Sequence, residues 1–326
     1  MGSDSEAKVP HAVEVISEFR KFAHNKWLRM TTLLAVLGFA IYYIFSQSFD
    51  LLRLLDRHPA TPSLMIVSTL LILISVLLGI VLWWLILAGF GYRLSILETS
   101  KIHIVTTLAK YIPGLVWQFS GKTYLSNEAG VPVKIAGFGL GIEVVISLIS
   151  GIGIAFILSP IYLLRIIFFP SWCITIFQII GWALLIIVTQ FPILLKKYLR
   201  RQISGNSQRV DHKFWFFSVI VIMTGWGLLG TAFFVASNAL GFSGLGLDDS
   251  LFAVCASYVG GILVIFVPNG LVVREALMLA LLPTGFDPNA ALLLSLLARL
   301  QVVTNELLIG AVVGIALLIK KKHPED

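Results

Sequence analysis

Not one charged residue stands between Leu64 and Phe90. A helix needs about 20 apolar residues to cross a hydrocarbon layer, and inside that layer every backbone N–H and C=O must find a partner within the protein. Similar runs fill Leu28–Phe45, Ile135–Leu158, Ile174–Phe191, Phe214–Leu240 and Asn289–Ile319. Six such runs predict an all-α polytopic membrane protein with about six spanning helices. The composition agrees. Of the 326 residues 58% are hydrophobic and 13% are charged, about half the charged share of an ordinary soluble domain.

The net charge of +7 is no nucleic-acid signal, because the basic residues sit between apolar runs and form no aromatic-interleaved basic face. They read as topology charges. The N-terminal segment up to Arg29 holds five Lys or Arg, residues 192–213 hold six, and the tail holds Lys320, Lys321 and Lys322. The opposite loops hold only Arg53, Arg57 and Arg165. Both termini and the central loop are therefore expected in the cytoplasm. Residues 1–27 form a partly amphipathic cytoplasmic segment ahead of the membrane, and residues 320–326 a basic cytoplasmic tail. Cys173 and Cys255 lie in apolar runs, and no CxxC, HExxH or phosphate-loop pattern occurs. No metal and no cofactor are expected.

Two stretches refuse to be simple spans. Residues 91–132 contain Lys110-Tyr111-Ile112-Pro113-Gly114 between apolar pieces too short to cross, and Val267–Leu279 contains Pro268-Asn269-Gly270 followed by Arg274 and Glu275. A broken backbone at membrane depth survives only where protein or a water-filled cavity covers it. Two re-entrant hairpins are expected, near 102–126 and 251–283. Pro113 and Pro268 are 155 residues apart (268 − 113), as are Gly130 and Gly285 (285 − 130). Each half then reads span, span, hairpin, span: residues 28–158 and 159–319. Three spans per half invert the second relative to the first, the plan of transporters whose broken helices meet at the midplane.

Ionisable groups at that depth mark function or structural pairs. Arg274 beside the break, the half-helix end at Asn269 and Gly270, and Arg299 in the last span suit an anionic headgroup. Arg299 and Glu306 are seven apart on one face, extended by Ser295, Gly310 and Gly314. Glu143 lies near the position matching Arg299 and is expected to face the basic residues of the second half. Glu275 is a neutralising partner for Arg274. Glu143 and Glu306 are candidates for ion or proton coupling. Trp117 and Gln118, past the first break, are candidates for the cavity wall. Lys122 is a further candidate, but it and Lys110 are expected to reach back to the headgroups, and His103 to lie at the interface.

These two stretches resemble the flippase-like transmembrane region of bacterial lysylphosphatidylglycerol synthases and its stand-alone relatives. The first motif stands as Tyr111-Ile112-Pro113-Gly114, Trp117-Gln118 and Gly121-Lys122, with Glu143 in the next span. The second stands as Pro268 to Glu275, with Arg299 in the last span. Asn269 and Val272 take the place of family glycines, and Lys122 that of an arginine. The resemblance covers roughly 28–319. It implies a protein of the bacterial cytoplasmic membrane that moves a lipid between leaflets, an anionic phospholipid or a lipid-linked sugar. It implies no aminoacylation, since no soluble aminoacyl-transferase domain is expected here, and it suggests an envelope-lipid synthase or glycosyltransferase as partner.

Two rival readings remain. One is a membrane transferase acting on a phospholipid or polyprenyl phosphate, for which Asp248-Asp249 is the available acidic pair. The other is a non-catalytic membrane partner of an envelope-lipid synthase. Gly310 and Gly314 allow helix packing within one chain or in a homo-oligomer.

Overall fold

The computed structural model describes residues 61–111, 116–158, 172–202, 212–242, 244–264, 270, 273–282 and 286–322. Nine α-helices run through the described residues: α1 (Pro62–Gly89), α2 (Ile96–Leu108), α3 (Val116–Glu128), α4 (Val133–Leu158), α5 (Trp172–Gln202), α6 (His212–Ala239), α7 (Leu247–Leu263), α8 (Val273–Leu281) and α9 (Pro288–Lys322). A 3₁₀ turn, Ala109–Tyr111, follows α2. There is no strand among these residues. Four of the helices, α1, α4, α6 and α9, are long and apolar enough to cross a membrane. The expected first span Leu28–Phe45, the segment 1–27 and the breaks at Pro113-Gly114 and Pro268-Asn269 lie outside the described residues. The stretch after Phe191, expected as loop, begins as helix: α5 continues to Gln202, through Leu, Lys and Arg residues that favour helix.

Helices α1 and α6 cross in the middle, and small side chains let them approach. The Thr61 N–H donates to the Ala239 carbonyl at 2.8 Å. The Ser68 hydroxyl donates to the Ala232 carbonyl at 2.9 Å, and the Ser75 hydroxyl to the Gly225 carbonyl at 3.2 Å. Each step of seven residues forward along α1 is matched by seven back along α6, so the two helices run antiparallel. At the far end Gly89 lies against Trp215, where a Cβ would stand 1.8 Å from the indole Nε1. Without a hydrophobic drive between helices in lipid, such close backbone approach and hydroxyl-to-carbonyl bonds supply the association energy.

The same two helices end alike. Gly91 (φ +90°) follows α1 and Gly241 (φ +76°) follows α6. The Tyr92 N–H reaches the Leu87 carbonyl and the Gly91 N–H that of Ala88, while Phe242 reaches Ser237 and Gly241 reaches Asn238. Glycine takes the left-handed turn that lets both chains close off a helix. These caps are 150 residues apart (241 − 91), and the starts of α4 and α9 are 155 apart (288 − 133). Ser75 and Gly225, which touch, are also 150 residues apart (225 − 75).

The remaining packing repeats in the same way. Helix α2 lies on α9 as α7 lies on α4; α2 meets α3 as α7 meets α8; α3 rests on α4 as α8 rests on α9. Each set has its own core. In the first, Trp83, Ile86, Leu87, Ile135 and Ile142 pack with Trp215. In the second, Phe233, Leu240, Met278, Leu293 and Leu294 pack together. Outward, Ile66, Leu70, Ile74 and Leu77 of α1, Ile179, Trp182 and Ile186 of α5, and Val312, Ile315 and Leu318 of α9 are exposed. A belt of bare apolar side chains around helices whose backbone groups are satisfied internally suits a lipid surround.

Candidate functional site

A cavity of about 360 Å³ opens at the crossing of α1 and α6. Its wall takes Ser75 from α1, His103 and Thr107 from α2, Lys110 and Tyr111 from the 3₁₀ turn, Gln118 and Lys122 from α3, and Glu143 and Ser147 from α4. From the other set come Tyr258 and Gly261 of α7, Gly270, Arg274 of α8, and Arg299 and Glu306 of α9. The volume is at the small end for ligand sites.

The charges are held in three pairs. Lys122 donates to both oxygens of Glu143, at 2.8 Å and 2.6 Å. Its ammonium also stands 4.2 Å from the centre of the Trp83 ring and 3.4 Å from His103 Nδ1. Arg299 meets Glu275 at 3.1 Å. Neither Glu275 oxygen receives an aligned hydrogen bond, so this contact is a charge pair without good N–H geometry. Lys110 pairs with Glu306 Oε1, and the Tyr111 hydroxyl donates to Glu306 Oε2 at 2.9 Å. This last pair joins the first set of helices to the second.

Two of the pairs are mirror images with the signs exchanged. Lys122 of α3 meets Glu143 of α4; Glu275 of α8 meets Arg299 of α9. The positions correspond, at offsets of 153 (275 − 122) and 156 (299 − 143). Packing of α3 on α4 and of α8 on α9 therefore produces one ion pair each.

Arg274 has no such partner. No carboxylate of the described residues lies within ion-pair distance of it, and its Nε is buried without a hydrogen-bond acceptor. Its guanidinium instead sits 3.9 Å from the centre of the Tyr258 ring. Two glycines make the room. A Cβ on Gly261 would come within 2.7 Å of Arg274 Nε, and one on Gly270 within 3.2 Å of it and 2.8 Å of the Gly261 Cα. Gly270 also has φ +62°, a conformation side chains resist. Among the described residues, Lys110, Lys122, Arg274 and Arg299 thus surround or back the cavity with Glu143, Glu275 and Glu306, and the unmatched charge is Arg274.

The structure brings Gln118, Lys122, Glu143, Gly270, Arg274, Arg299 and Glu306 to one wall. Glu275 stands behind it with Arg299, lining a separate gap of about 30 Å³. Trp117 does not line the cavity, and Asn269 lies outside the described residues. Four expectations are corrected. Glu143 lines the same cavity as Arg274 and Arg299 but pairs with neither, because Lys122 on the adjoining helix takes both its oxygens. Glu275 makes its ion-pair contact with Arg299 and not with Arg274. Lys110 and Lys122 do not reach the headgroups, since each is turned inward to a carboxylate, Lys122 being 3% exposed. His103, expected at the interface, lies in the cavity wall beside Lys122. The acidic pair of the transferase reading is not in the wall. Asp249 accepts from the Gly246 N–H at 3.0 Å and caps α7.

No family model, curated protein or solved structure matches the chain.

Several wall residues are not legible as such in the sequence. Tyr258 sits in an apolar run where an aromatic usually packs. Ser75 reads as filler. Gln301 and Asn305 of α9 are also missed; they hold α9 to α1 through Thr69, at 3.0 Å from Gln301 Nε2 to the Thr69 hydroxyl and 3.3 Å from Asn305 Nδ2 to the Thr69 carbonyl. The available signal is the crowding of Arg299, Gln301, Asn305 and Glu306 into about two turns of an otherwise apolar helix, which marks an inward face.

Proposed function

We propose that this is a flippase- or scramblase-like transporter of the bacterial cytoplasmic membrane, with both termini cytoplasmic. It is built from two inverted repeats, each with a re-entrant hairpin, and moves an anionic lipid headgroup between leaflets through the cavity. The acyl chains stay in the bilayer. The observation that carries this reading is the Arg274 guanidinium, which faces the cavity with an aromatic ring and two glycines around it and no carboxylate of the described residues in reach. A buried cation without a counterion is costly in a low-dielectric surround, and an anionic headgroup would lift that cost on entering. The paired contacts of the two sets of helices support alternating rocking about the Ser75–Gly225 crossing.

The test is lipid movement in vesicles containing the purified protein. Acyl-labelled phosphatidylglycerol should redistribute between leaflets with the wild-type chain, and Arg274→Ala should slow it to the rate of protein-free vesicles. Unchanged redistribution with Arg274→Ala, in a protein that still folds, removes the guanidinium from the mechanism and this reading with it.

A further inference from the structure

The charge inventory of the cavity also bears on what kind of headgroup enters, an inference that rests on the reading above. Every carboxylate in the wall among the described residues is already held at both oxygens. Glu143 is gripped by Lys122 on Oε1 and Oε2. Glu306 is taken by Lys110 on one oxygen and by the Tyr111 hydroxyl on the other. Glu275 faces Arg299 behind the wall and does not line the cavity. An ammonium group entering here would find no free acid and would have to displace a buried lysine. It would also approach Arg274, whose charge repels it.

The neutral part of the wall has the opposite character. The Gln118 amide and the Thr107 hydroxyl both line the cavity and make no side-chain hydrogen bond among the described residues. Gln118 can donate and accept, and Thr107 can do the same. They stand on α3 and α2 and line the same cavity as Arg274 of α8. Both are half-buried and open to the cavity, and a headgroup hydroxyl can bond to either without bringing charge.

We propose that the cargo is a phosphate ester of a polyol or sugar, carrying hydroxyls and no amine, presented on a lipid. The phosphate sits at Arg274 and the hydroxyls reach Gln118 and Thr107. An aminoacylated or amine-bearing lipid is a poor cargo even where its net charge is negative.

The experiment uses the full chain in phosphatidylcholine vesicles with trace acyl-labelled lipids, reading leaflet redistribution. Phosphatidylglycerol should move fastest. Phosphatidylserine, which has the same net charge but carries an ammonium, should move about tenfold more slowly, as should lysylphosphatidylglycerol. Phosphatidylmethanol, anionic without hydroxyls, should also lag. Equal rates for phosphatidylglycerol and phosphatidylserine, or a faster rate for lysylphosphatidylglycerol, overturn the amine exclusion and leave the transporter reading standing. Equal rates for phosphatidylglycerol and phosphatidylmethanol overturn the hydroxyl assignment. Glycerol phosphate in the buffer should not slow phosphatidylglycerol; if it does so at the lipid's own concentration, the site takes the free ester and the lipid part fails. No lipid moving faster than in protein-free vesicles sinks the transporter reading itself.

Discussion

Glu143→Gln removes one negative charge from the cavity and keeps the side-chain shape. Lys122 is then an ammonium buried to 3% exposure with no carboxylate. Removing one partner of a buried ion pair costs about 3–5 kcal/mol. Two features of the site place this case at the lower end. The Trp83 face remains 4.2 Å away, a contact worth about 2 kcal/mol where water is excluded. The Glu143 side chain is 18% exposed, so water can reach what is left. The expected loss is therefore about 3 kcal/mol, or roughly two decades in the folding equilibrium. Adding Lys122→Met to Glu143→Gln removes the stranded charge and should recover most of the loss. The assay is denaturant unfolding of the four proteins of this cycle in detergent, which isolates the pair from the single effects. A double variant as unstable as the two singles summed would show that the two residues do not interact, and the geometry argued for the whole cavity would fail with it.

Three further outcomes rest on distances already given. Gly261→Ala puts a methyl group within 2.7 Å of Arg274 Nε and should abolish lipid movement much as Arg274→Ala does, at a stability cost of only about 1–3 kcal/mol; full transport would show that the slot does not position the guanidinium. Lys110→Met or Glu306→Gln breaks the ion pair between the two sets of helices, and each should speed labelling of a Thr107→Cys reporter by a water-soluble maleimide, whereas unchanged labelling would mean the pair holds nothing shut. Gly89→Ala drives a methyl group to 1.8 Å from Trp215 Nε1 and should lower the unfolding midpoint, by about 1–3 kcal/mol in stability, with Trp215→Ala in the same chain returning part of it.

The long helices are legible because an uncharged run has few places to go, and α1, α4, α6 and α9 fall within a few residues of the expected spans. The position of Arg274 is legible for the same reason: a full charge next to a Pro-Asn-Gly break has to face something polar. Pairing is not. Arg299 and Glu143 occupy matching positions in the two halves, which suggests that they meet. Yet each side chain instead meets the short helix that precedes its own span in the chain, Glu143 meeting Lys122 of α3 and Arg299 meeting Glu275 of α8. Only the packing of α3 on α4 and of α8 on α9 decides that, and short apolar helices carry little periodic signal for it. The inward turn of Lys122, a candidate from the sequence, escapes because length alone lets a lysine reach the headgroups; the Trp83 ring and Glu143 that hold it inward are distant along the chain.

The mirrored ion pairs have a consequence for how such a molecule could be built. Among the described residues at the cavity, the first half contributes Lys110, Lys122 and Glu143, a balance of one positive charge; the second contributes Arg274, Arg299, Glu275 and Glu306, a balance of none. A protein made of two first halves would keep the crossing helices but leave two lysines stranded. One made of two second halves would be electrically even, its two Arg274 offset by two Glu306 that had lost Lys110. A single vacancy for one negative charge depends on the two sets of helices carrying different charges.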